Sequence, residues 1–209
     1  MRKILLMIIF LCVVTTGFSQ FQLGFKFSPT ISTNRIDAKS DTVSFSTDGA
    51  GLRFVAGPIA DFQLTDNYFV STGLLLVSKR AGLKAKQVTG TEVEEYSLQY
   101  IQIPLTLKLY TNEVALDKRI YFQMGATMEV NVKEDPKKDR YYYVEDFKLF
   151  DSSLLIGVGL EYKVGLNTIV FGGFSYSRGL LNTIGDQVRL DDDITFKNDY
   201  LALDLGIKF

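Results

Sequence analysis

Residues 200–209 constrain this chain more than any other stretch. Leu201, Leu203, Leu205, Ile207 and Phe209 alternate with Tyr200, Ala202, Asp204, Gly206 and Lys208. A period of two means a strand with two unlike faces. One face is wholly apolar, and such a face needs either a protein core or lipid. The other face mixes small and charged residues of both signs.

The opposite end of the chain favours lipid. Arg2 and Lys3 precede an apolar run from Ile4 to Val14, and Gly17 and Ser19 stand where small residues precede a cut before Gln20. This predicts a secretory signal over residues 1–19 and one domain over 20–209. The apolar run is shorter than the ~20 residues a membrane-spanning helix needs. Phe10 and Leu11 precede Cys12 where a lipoprotein signal requires small residues, so lipidation is not expected. Beyond Gln20 the net charge is −3, which gives nucleic acid no purchase. That part also lacks cysteine, histidine and tryptophan, so disulfide and thiol chemistry are excluded. No later segment reads as a long apolar helix, and a membrane role must come through strands.

Eight stretches read as strands: 21–31, 51–63, 68–80, 96–110, 119–132, 151–162, 168–180 and 200–209. Each is about as long as the ~9–11 residues of a tilted membrane-crossing strand. Their connections alternate long and short: 32–50, 64–67, 81–95, 111–118, 133–148, 163–167 and 182–197. Outer-membrane barrels alternate in this way, with short periplasmic turns and long external loops. The expected fold is therefore all-β: an eight-stranded antiparallel up-and-down transmembrane barrel with both ends in the periplasm. Its polar face carries Lys26, Arg53, Asp61, Lys108, Glu129, Asp151, Glu161, Asp204 and Lys208 among many glycines. Eight strands leave an interior that side chains just fill, and charges buried there must pair. A soluble barrel with an apolar core is the competing reading. Pro58 and Pro104 cannot donate to a ladder, which predicts a bulge or a strand end near each. Tyr68, Tyr110, Tyr121, Tyr162 and Phe209 fall at the short-turn ends and are expected to form an aromatic girdle there.

Four segments in order resemble the PorT-like outer-membrane β-barrel proteins of Bacteroidota. They are Thr72-Gly-Leu-Leu-Leu-Val-Ser-Lys79, Tyr100-Ile-Gln-Ile-Pro-Leu-Thr-Leu-Lys-Leu-Tyr110, Asp151 with Gly157-Val-Gly-Leu-Glu-Tyr162, and Ser175-Tyr-Ser-Arg-Gly-Leu180 followed by Asn182. Gln102 stands where that family carries glutamate, and Arg80-Ala81 interrupts its Lys-Gly pair. The resemblance implies the barrel fold and an outer-membrane location, and it touches on a gliding-linked secretion system. It also implies that barrel assembly machinery reads Phe209 as a terminal aromatic, and that outer-membrane lipid surrounds the chain.

Chemistry is sparse. Without histidine there is no ordinary general base near neutral pH. Asp61, Glu129, Asp151, Glu161 and Asp204 could act only as carboxylate pairs, and interior ion pairing is the expected role. Gly157-x-Gly159 lies in a strand, without the third glycine and the helix of a dinucleotide loop. Asp191-Asp-Asp193, with Asp186 and Asn182 nearby, offers oxygen ligands but not the spacing of a dedicated calcium loop. Lys133-Glu-Asp-Pro-Lys-Lys-Asp-Arg-Tyr-Tyr-Tyr143 suits either protein contact or an aromatic belt. The expectation is a non-enzyme with no catalytic, cofactor-binding or metal residues, no cofactor and no nucleic-acid partner. Its role is structural or interactive, through long extracellular loops; the alternative is an accessory of a secretion or gliding system, or a narrow transport pore.

Overall fold

The computed structural model describes residues 21–38, 44–87, 90–136, 144, 146–185 and 194–209. Ten strands follow one another: β1 (Phe21–Ala38), β2 (Ser44–Thr47), β3 (Gly51–Thr65), β4 (Tyr68–Gly73), β5 (Leu75–Gln87), β6 (Gly90–Tyr110), β7 (Lys118–Pro136), β8 (Phe150–Lys163), β9 (Ile169–Gly179) and β10 (Ile194–Lys208). All pairings are antiparallel, and β1 pairs with both β10 and β3, which closes the sheet into a ring. β4 and β5 occupy one stave. They keep a single register against β3, where Ile59 faces Gly73 and Ala56 faces Leu76. They also keep one register against β6. The ring thus has eight staves, as the alternation predicts, and β2 stands outside it as a short partner of β5.

The short connections gather at the end that holds Phe21 and Phe209. There the β6–β7 turn contains Asp117 with φ 59°, a left-handed turn conformation that aspartate tolerates. Its carbonyl accepts the Lys163 N–H of the neighbouring β8–β9 turn. At the other end the strands run further than the sequence pattern indicates. Residues 32–38, 81–87, 90–95 and 133–136, expected in loops, continue β1, β5, β6 and β7. β6 reaches 21 residues, roughly twice what a membrane crossing needs. These extensions carry lysine and glutamate rather than an apolar stripe, because above a bilayer the outer face meets water.

Across the middle of the barrel the two faces separate cleanly. Leu23, Phe25, Leu105, Met124, Met128, Ile156, Leu201 and Leu205 point outward and are exposed, whereas Gln102, Glu129, Ala202, Asp204 and Lys208 point inward and are buried. An outer surface this apolar is costly in water and suited to lipid. This arrangement excludes the soluble barrel, whose charged residues would have to face out. The aromatic girdle needs correction. Tyr68, Tyr162 and Phe209 are exposed near the short-turn end, but Tyr110 and Tyr121 are buried in the lumen. Both fall on the inward parity of β6 and β7, in step with Lys108 and Gln123.

A strand end does fall beside both prolines, but in the neighbouring stave. β3 and β6 run unbroken through Pro58 and Pro104, and the interruption falls in the stave between them, at Leu74.

Candidate functional site

Among the described residues, the lumen gathers the largest share of buried polar side chains, and large and small ones interlock there. β5, β6 and β7 send in long side chains: Lys79, Tyr100, Gln102, Lys108, Tyr110, Tyr121 and Glu129. β8, β9 and β10 set small ones among their own charged and aromatic side chains: Ser153, Gly157, Gly159, Gly173, Ser175, Ala202 and Gly206. The fit is close. A Cβ on Gly159 would stand 2.4 Å from the Tyr121 ring, and one on Gly206 would stand 2.3 Å from the Phe171 ring.

Four layers follow from this packing. Nearest the short turns, Asp61 accepts from Lys108 at 2.8 Å and from Lys208 at 2.9 Å. Lys208 also reaches Glu161 at 2.5 Å, and the Tyr110 hydroxyl donates to the same carboxylate at 2.5 Å. Two cations meet two anions, so the layer is neutral, and the Phe171 ring lies 5.7 Å from Lys108 and 6.0 Å from Lys208. Above it, Lys26 pairs with Asp204 at 2.8 Å, and the Ser28 hydroxyl donates to that carboxylate.

The third layer centres on Lys79, fully buried. It bonds Glu129 and lies 3.2 Å from Asp151, residues that face each other across β7 and β8. Glu129 also accepts from Gln102 at 2.7 Å and from the hydroxyls of Thr127 and Ser153. Lys79 sits 4.9 Å above the Tyr100 ring. Buried charges are tolerable when paired and hydrogen-bonded in this way. The fourth layer departs from the expected polar interior. Leu83, Leu98, Tyr96, Phe147, Ile184, Ile194 and Phe196 form an apolar cluster at the long-loop end, with Phe147 edge-on to both Tyr96 and Phe196. At that rim Arg80 clamps Asp48 and Glu95, and Arg35 binds Asp199 through two bonds.

The five candidate carboxylates therefore all take part in ion pairs. Asp61 and Glu161 share Lys208; Glu129 and Asp151 share Lys79; Asp204 holds Lys26. Lys79 is the main lumen residue that the sequence pattern does not single out. The parity of its stave, from Ser71 through Leu75 and Val77, puts it on the inward face. Gly157 and Gly159 make room for Gln123 and Tyr121, which is a packing role. Asp186 and Asp191 to Asp193 lie outside the described residues, as do Tyr141 to Tyr143. Asn182 is described, and its Oδ1 accepts from the N–H groups of Ile184 and Phe196. Among the described residues no cluster of three or more His, Cys, Asp or Glu side chains could hold a metal ion.

Outside the lumen, a shallow groove at the long-loop end runs between β7 and the segment before β8, lined by Asn131, Glu134, Asp146, Phe147 and Lys148. Burial pushes the Glu134 carboxyl above its ordinary range, and the nearby Asp146 adds to the shift. The Asn131 side chain and the Phe147 N–H oppose it by donating to that carboxylate.

Known proteins agree with this architecture. Among solved structures, the outer membrane protein OprG from Pseudomonas aeruginosa superposes with a TM-score of 0.61 at 13% identity, covering 91% of this chain and 96% of its own. The outer membrane protein AlkL, solved in lipid bilayers, gives a TM-score of 0.51 at 18% identity, with 91% and 89% covered. At these identities the likeness concerns the fold. No curated protein sequence matches the chain. Residues 16–185 match the family model for the outer membrane protein beta-barrel domain. With its closed eight-stave ring, apolar outer band and matched sequence, this chain belongs to the outer membrane protein beta-barrel domain family and resides in the outer membrane.

Proposed function

We propose that this chain is a non-enzymatic, sealed barrel that holds an interaction surface on the outer face of the membrane. One observation carries the reading: the lumen is crossed by successive layers of paired charges and capped by an apolar cluster, which leaves no continuous aqueous path among the described residues. A barrel filled in this way gains rigidity rather than conductance. The short turns and both termini face the periplasm. The prolonged β5–β6 hairpin, braced by β2, stands outside the cell. Residues 1–19 direct export, residues 20–209 form the barrel, and assembly machinery reads the aromatic at Phe209.

In-cell photo-crosslinking tests the display role. A benzoylphenylalanine at exposed Lys84 or Lys86 is expected to give a discrete, reproducible protein adduct that the same group at lipid-facing Leu105 does not give. Equal patterns at all three positions contradict it. The four segments that resemble PorT-like barrels favour a second reading, an accessory of a secretion machine. Deleting the gene would then abolish export of cargo proteins, whereas an unchanged secretome excludes it.

A further inference from the structure

The short-turn end of the barrel carries apolar residues where turns are ordinarily polar. Val114 and Leu116 stand on the β6–β7 turn, and Val164 and Leu166 on the β8–β9 turn. All four are exposed, Leu116 at 84% and Leu166 at 93%. Turns favour glycine, proline, asparagine, aspartate and serine, and apolar residues gathered on a surface mark a place of contact. The two turns are neighbours, because β7 pairs with β8. They are also held in place. The Val114 N–H donates to the Lys118 carbonyl at 3.0 Å, the Val164 N–H to the Thr168 carbonyl at 2.9 Å, and the Lys163 N–H ties one turn to the other through the Asp117 carbonyl at 2.9 Å. A surface fixed in this way loses little freedom when something binds it.

Beside these turns a pocket of about 240 Å³ is lined by Glu113, Asp117, Arg119, Glu161, Lys163 and Ile169. A cavity of ~150 Å³ holds a benzene ring, so this one has room for a side chain. Glu161 is buried, at 3% exposed. Its Oε1 accepts from Lys208 and from the Tyr110 hydroxyl, whereas its Oε2 has no partner among the described residues. A buried carboxylate oxygen without a donor is costly. The rest of the lining does not supply one. Arg119 lies over the Tyr110 ring at 4.8 Å, and among the described residues no ion pair engages Glu113, Asp117, Arg119 or Lys163. The lining holds three carboxylates against two cations, which favours a further cation there.

We infer that this mouth is a docking site for a periplasmic protein. The partner rests aliphatic side chains on Val114, Leu116, Val164 and Leu166 and sends one basic side chain into the pocket as donor to Glu161. A lipid surface would bring its phosphates against Glu113 and Asp117, whereas a protein segment matches both the apolar tips and the carboxylates. The inference rests on the orientation given above, with the short turns in the periplasm, and is independent of whether the lumen conducts.

A defined peptide tests it. Fluorescein-labelled Ser-Leu-Lys-Leu-Ser, blocked at both ends, is titrated against the barrel in nanodiscs, with folding checked by heat-modifiable migration. It is expected to bind barrel-containing nanodiscs and not empty ones, and norleucine in place of its lysine is expected to weaken binding at least tenfold. Leu116→Ser combined with Leu166→Ser should weaken it at least tenfold as well. Glu161→Gln should bring the lysine peptide down to the level of the norleucine peptide. Should that variant misfold, Asp117→Asn removes an exposed carboxylate of the same lining and is expected to weaken the lysine peptide at least threefold. No binding above empty nanodiscs, equal binding of the two peptides, or binding indifferent to these substitutions overturns the site. The chain has no tryptophan, so Leu116→Trp gives a single reporter. Quenching by brominated phospholipid as strong as at Leu105→Trp puts the turn in lipid and overturns the protein-docking face. Leu116→Cys in a Cys12→Ser background reports the side of the membrane. Its labelling in intact cells by a polymer-linked maleimide too large to cross the outer membrane overturns the orientation, and with it the periplasmic partner, whatever the peptides show.

Discussion

At the scale of single residues, the lumen works as a mould in which large side chains seat against glycines. Tyr121 lies over Gly159, and there is no slack between them. Gly159→Val is therefore expected to destabilise the barrel by about 1–3 kcal/mol through overpacking. Adding Tyr121→Ala should recover most of that loss, as read from urea unfolding in lipid vesicles. Lys79 is the most exacting position. Lys79→Met leaves Glu129 and Asp151 buried without their cation, which should cost about 3–5 kcal/mol in the same assay. Adding Glu129→Gln and Asp151→Asn is expected to restore most of the stability, because the cost lies in the uncompensated charge. The inward charges on β6, β7, β8 and β10 are legible from alternation, since each sits in step with its neighbours on a clear apolar–polar pattern. Lys79 is not, because its stave carries Leu75 and Val77 inward and Leu74 and Leu76 outward. Apolar residues on both faces erase the period.

At the scale of elements, the same logic explains which boundaries can be read. β1, β7, β8 and β10 contrast lipid with lumen along most of their length, and their alternation gives them away. The β5–β6 hairpin beyond residue 81 contrasts water with a small apolar cluster instead. Its lysines and glutamates resemble a loop, although Leu83, Ala85, Tyr96 and Leu98 are buried. Tyr110 and Tyr121 depart from the expected girdle for a related reason: an aromatic near a turn suits the membrane interface, but parity overrules position along the strand. Pro58 and Pro104 announce an irregularity and not its address, because the missing bonds belong to the stave between them. The lipid face of β6 gives a direct test at this scale. Leu105→Arg, in the middle of the outer band, is expected to cost about 2–4 kcal/mol in urea unfolding. Lys84→Arg, on the β5–β6 hairpin above the band, should cost nothing measurable.

For the whole molecule, the ring, the outer band and the layered lumen give one account. Apart from the positions opposite Pro58 and Pro104, the staves satisfy their backbone among themselves, as a bilayer demands. The apolar side chains face outward, and the polar ones neutralise one another inside. What is legible in the sequence is the barrel and its place in the membrane, since both follow from periodicity and connection lengths. The candidate site is legible only in its charges. Its closure depends on which lysine meets which carboxylate across the lumen, and pairings over separations such as Asp61 with Lys208 leave no local signature. Single-channel recording in a planar bilayer tests the central claim most directly. Purified, heat-modifiable protein is predicted to give a silent baseline at potentials up to about 100 mV of either sign. Steady, reproducible conductance steps from the same preparation would contradict a sealed barrel.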